Sequence, residues 1–78
     1  MEQNNSILKK SILGNRATFT FKSKGEKADM HIISEAFGQA YRNKLEISFF
    51  QDDFNTISIC FSGLPDNINK IEAFYNKP

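Results

Sequence analysis

A chain of 78 residues has room for one domain, which at this size buries only about 60–65% of the surface its unfolded form exposes. Eight Phe and two Tyr supply bulk for a core, and a single cysteine, Cys60, excludes an intramolecular disulfide framework. The net charge of +1 conceals a split: residues 1–27 hold six cations against two acids (+4), and residues 28–78 hold four cations against seven acids (−3).

No apolar run approaches the roughly 18–20 residues of a membrane span. The polar start MEQNN lacks the charged region and apolar stretch of a secretory signal. With its lone thiol, the chain is expected to be cytoplasmic. We expect one domain over residues 1–78, with 1–6 and 76–78 frayed.

Residues 7–13, ILKKSIL, fit either a short helix or a strand. The strand reading gains from Gly14-Asn15, a pair suited to a type II′ hairpin turn. It sets Ile12 beside Ala17 and Leu8 beside Phe21, but also Lys10 beside Phe19. Arg16 to Lys22, RATFTFK, alternates Ala17, Phe19 and Phe21 with polar residues and reads as a strand. Ser23 and Glu26 have the S-x-x-E spacing of a capping box, so a helix is expected to start there.

In that helix Met30, Ile33, Phe37, Ala40 and Tyr41, joined by Ile32 and Ala36, form one broad apolar stripe expected to be buried. Gly38 sits mid-helix, either facing solvent or admitting another backbone, and Asn43-Lys44 ends the element.

Leu45 to Phe61, LEISFFQDDFNTISICF, carries two alternating runs around an acidic turn and reads as a β-hairpin. Pairing residues whose numbers sum to 106 makes one face wholly apolar, with Phe49 opposite Ile57, Ile47 opposite Ile59 and Leu45 opposite Phe61. That register requires an odd turn between Gln51 and Asn55 and sets Cys60 opposite Glu46. Gly63 ends the hairpin, and Pro65 suits the first position of a second helix. Leu64, Ile68, Ile71, Phe74 and Tyr75 are expected to bury its stripe, with Asn67, Asn69, Lys70 and Glu72 facing water.

The order is (β)-β-α-β-β-α, an α+β fold with an antiparallel sheet of three to four strands and both helices on one face. It is most of a split β-α-β plan lacking its last strand, a place that residues 7–13 fill if extended.

Catalytic and metal chemistry find little equipment in this sequence. His31 and Glu35 stand i, i+4 on a helix, but a metal site wants a third ligand. Asp52, Asp53 and Asn55 lack the spacing of a calcium loop. Cys60 next to an acid is a poor thiolate, and the four glycines are isolated. No enzymatic activity, cofactor or metal is expected.

The face away from the helices is the more informative surface. The alternation assigns it Arg16, Thr18, Thr20 and Lys22, then Ser48 and Phe50, then Thr56, Ser58 and Cys60. An aromatic beside Lys and Arg on a sheet face resembles, in outline, the RNA-stacking sheets of RNA-recognition-motif domains. That family's K/R-G-F/Y-G/A-F-V-x-F/Y signature is not matched by Thr56-Ile57-Ser58-Ile59-Cys60-Phe61, so membership is not assigned.

The expected function is protein binding without catalysis, through Phe50, Asp52, Asp53 and Phe54 at the hairpin tip. In size and lack of a site the chain is similar to small accessory or inhibitor proteins of phages and mobile elements. Two alternatives remain open. One is nucleic-acid binding by Lys9, Lys10, Arg16, Thr18, Lys22 and Lys24, and the other is a homodimer joined at an open sheet edge.

Overall fold

The structure, a computed structural model, describes residues 7–53 and 55–76, and at positions 52 and 53 the backbone alone. The elements are β1 (Ile7–Leu13), β2 (Arg16–Lys22), α1 (Glu26–Arg42), β3 (Glu46–Asp53), β4 (Thr56–Ser62) and α2 (Pro65–Tyr75). All three strand pairings are antiparallel, in the order β1-β2-β4-β3. β2 and β3 therefore run parallel with β4 between them, which is a split β-α-β unit, and β1 occupies the edge that a terminal strand would otherwise take. No helix among the described residues is long and apolar enough to cross a membrane.

ILKKSIL is thus a strand. Gly14 has φ +59 and Asn15 has no positive φ, the signs a type II′ turn requires. Ile12 pairs with Ala17 and Lys10 with Phe19, as the alternation predicted. Leu8 does not meet Phe21: the register shifts between Ile7 and Lys9, Ile7 takes that place, and Leu8 is left exposed as the extra residue. Lys10 is tolerated on the helix-side face because its stem runs out to α2. There its Nζ donates to Asn76 Oδ1 at 2.9 Å and lies 3.9 Å from Glu72. Glu72 and Asn76, expected in water and in a frayed tail, are in this way part of the β1–α2 seam. The Asn76 N–H also closes α2 onto the Glu72 carbonyl at 3.0 Å.

The core lies between the sheet and both helices. Ala17, Phe19 and Phe21 of β2 and Ile57, Ile59 and Phe61 of β4 face inward, covered by Ala36 and Ala40 of α1 and Ile68, Ile71 and Tyr75 of α2. Tyr75 is the aromatic hub, its ring 4.7 Å from that of Phe19 and 4.9 Å from that of Phe74. Leu64, expected in the buried stripe, is the exposed N-cap of α2, with Pro65 at the first helical position.

Three further expectations are corrected. The hairpin register sums to 108, so Phe49 faces Ile59, Ile47 faces Phe61 and Gln51 faces Ile57. Leu45 precedes the strand and packs instead against Gly63, where an added Cβ would lie 2.5 Å from Leu45 Cδ2. Ladder pairing closes at Asp53 with Thr56, and a shift between Gln51 and Asp53 absorbs the odd residue expected in the turn. A slide of two positions preserves the faces, so Phe50 keeps its side, but Cys60 now faces Ser48 instead of Glu46.

The second correction is the capping box. The N-cap of α1 is Gly25, and Ser23 Oγ donates to Asp29 Oδ2 at 2.5 Å while the Lys24 N–H donates to Asp29 Oδ1 at 3.0 Å. One carboxylate thus gathers two donors in front of the helix. The third concerns the apolar stripe of α1. Ala36 and Ala40 are buried and Ile32 and Ile33 half-buried, whereas Met30, Phe37 and Tyr41 are exposed, Tyr41 at 87%. Small alanines let the helix settle close to the sheet, and the larger residues turn sideways.

Candidate functional site

The displaced side chains gather on one flank. Met30, Phe37 and Tyr41 recur at i, i+7 and i+11, so they share one side of α1. That side overhangs β3, because the Phe37 ring meets Phe49 edge to face at 5.4 Å and 85°. Among the described residues β3 is an edge strand with neighbours on one side only, which leaves Phe49 37% exposed although it faces the helix layer. Phe50, on the opposite face of the same strand, is 54% exposed.

Beneath the first half of α1 lies an open groove of about 250 Å³, lined by Asp29, Ile33, Phe49, Phe50, Gln51 and Ile57. Its origin is the register: polar Gln51, instead of an apolar residue, stands across from Ile57, so the core ends there unfilled. Its lining is mostly apolar, and its one charged member, Asp29, is fixed by Ser23 and Lys24.

Of the tip residues expected to bind protein, Phe50 is placed on this edge strand and exposed. Asp52 and Asp53 occupy its last positions, their side chains outside the described residues, and Phe54 lies outside them altogether. Met30, Phe37, Tyr41 and Phe49 were missed as surface residues. The available signal was the width of the α1 stripe, since at 100° per residue its apolar positions from Ile32 round to Tyr41 cover roughly half of the helix surface, wider than the roughly 100° a single buried face needs.

The basic residues divide. Lys9, Arg16, Thr18 and Lys22 share the open face, since Lys9 pairs with Thr20 and Thr18 and Thr20 alternate with buried Phe19. Lys10 points to the other face and is engaged by Glu72 and Asn76, and Lys24 sits in the β2–α1 connection. In the middle of the open face Ser58 is buried between Phe50 and Thr20, its Oγ 3.2 Å from Thr20 Oγ1. Cys60, beside Ser58 on that strand face, is a free thiol. His31 and Glu35 are exposed on α1, and no group of three or more His, Cys, Asp or Glu able to hold a metal ion is found among the described residues.

Comparison of the chain with protein-family models, with curated proteins and with solved structures gave no match.

Proposed function

We propose that this domain is a protein-binding module that acts by contact and not by catalysis, and that its contact surface is the α1–β3 flank. The observation that carries the reading is the row of exposed Met30, Phe37, Tyr41, Phe49 and Phe50 along one sheet edge. Scattered exposed apolar residues are ordinary on a folded surface, but aromatic residues beside an open groove and an unpaired strand edge are the composition of interface cores. The acidic tip, Asp52 and Asp53, would then set the rim. A contact role of this kind is that of an accessory or inhibitor protein.

The test is cross-linked capture from cells that express the chain, comparing the native sequence with Tyr41→Ser/Phe50→Ser and with Lys9→Ser on the other edge. The flank variant loses the captured species and the Lys9 variant keeps it. Capture unchanged by the flank variant, with its circular dichroism and melting unaltered, removes the reading.

One observation favours a second reading. Lys9, Arg16 and Lys22 project from one open face whose central side chains are small and polar, a surface that could lie along a nucleic-acid backbone. A gel shift on mixed RNA and DNA at low salt tests it: retention that falls steeply with added salt supports it, and no retention eliminates it.

A further inference from the structure

The two sheet edges are not equivalent. β1 is guarded by the register shift at Leu8 and by Lys9 and Lys10, devices that keep another strand from pairing. From Glu46 to Gln51 the β3 ladder is unbroken, and its outer side is flanked by the exposed rings of Phe49, Phe50 and Phe37.

Resting on the reading of this flank as a protein-binding surface, we propose that its occupant is a second copy of the chain. Two β3 strands pair antiparallel about a two-fold axis, and the two α1 helices lie side by side above the joined sheet. The argument is self-complementarity. α1 passes directly into β3 through Asn43 and Lys44, while Asp29 and Ile33 border the far half of the strand at Phe49–Gln51, so helix and strand run in opposite directions along the flank. One end of the flank therefore carries Glu26 and Asp29 with strand positions Asp52 and Asp53, opposed by Lys24 and Lys27. The other end carries Lys44, with Arg42 on the adjoining outer side of the last turn of α1, opposed by Glu46. A two-fold axis lays each acidic end against the basic end of the other copy, twice over.

The apolar residues obey the same operation. Antiparallel α1 helices bring Met30 of one copy toward Tyr41 of the other, with Phe37 between them. An axis that keeps all helices on one side of the sheet pairs odd strand positions with odd and even with even. Near the middle of β3 it passes beside Phe49 or Phe50 and so sets an aromatic ring next to its own counterpart. A heterologous pairing of β3 with the β1 edge would satisfy charge too, but it does not close and would build filaments.

Sedimentation of the full chain from micromolar to millimolar concentration should show a mass that doubles. Tyr41→Glu, at a site too exposed to disturb folding, should weaken the association at least tenfold. Glu26→Lys and Lys44→Glu should each be monomeric where the native chain is dimeric, and their equimolar mixture should be dimeric, because only the mixed pair restores both opposite-charge contacts. A monomeric native chain across the range, or a mixture that stays monomeric, overturns the proposal. Should the native chain be monomeric while Tyr41→Ser/Phe50→Ser still abolishes capture of a different protein, self-association fails and the binding role of the flank stands.

Discussion

Phe37 and Phe49 meet edge to face, ring centroids 5.4 Å apart and planes at 85°, across the seam between α1 and the edge strand β3. The contact fastens the helix to the outermost strand and leaves both rings partly in water. Aromatic pairs of this geometry are worth about 0.5–1.5 kcal/mol beyond area burial. A double-mutant cycle with Phe37→Ala and Phe49→Ala, read by urea unfolding of dilute protein, should give a coupling of that size. Additive losses would mean that the rings do not hold the seam.

Tyr75 presents a different balance. Its ring touches Phe19, Phe21, Phe61 and Phe74, yet its buried hydroxyl finds no hydrogen-bond partner among the described residues. Tyr75→Phe keeps the ring and deletes the orphaned group, so it should be neutral or stabilising by up to about 1 kcal/mol. Tyr75→Ala should cost about 3–5 kcal/mol through the cavity it opens.

The same residue sets an alkaline limit. Burial, with the Glu35 charge adding to it, pushes the Tyr75 phenol well above its ordinary value of 10.0. The native state then holds a proton that the unfolded state releases, so this contribution is intact below pH 10.0 and is lost as pH rises from there toward the raised native value. Tyr75→Phe should flatten the decline in stability above that pH, and an unchanged alkaline profile would contradict the assignment.

Gly38 is exposed in the fourth turn of α1, and a Cβ added there meets nothing within 4 Å. Of the two roles its position allowed, it admits no other backbone among the described residues. Gly38→Ala should stabilise the monomer by about 1 kcal/mol, measured by urea unfolding at low concentration. A loss of stability would mean that the helix is bent or packed at this point.

The seam between β1 and α2 should contribute little by charge. Lys10 and Glu72 are each about one third exposed and 3.9 Å apart, so Glu72→Gln should cost less than about 1 kcal/mol, and less still at high salt.

Strand alternation made β2 and β4 and their inward faces legible, because period two survives whatever the partner does. Register was less legible. Matching apolar to apolar favours Leu45 opposite Phe61, and the pattern carries no sign that Leu45 would leave the ladder to fill the space beside Gly63, nor that a shift near Asp53 would let Gln51 face Ile57. On α1 the periodicity does not distinguish Ala36 and Ala40 from the larger apolar residues of the stripe, although their small size is what brings the helix down on the sheet. The flank followed from that choice. The tip side was anticipated through Phe50 alone, while Phe37 and Tyr41 were hidden inside an expectation of burial.

Amide hydrogen exchange at low and high concentration tests the central claim most directly, since it asks which edge meets a partner. The account predicts that protection rises with concentration in β3, between Glu46 and Gln51, and along α1 near Phe37, while β1 is unchanged. Protection that rises in β1, or nowhere in the chain, would contradict it.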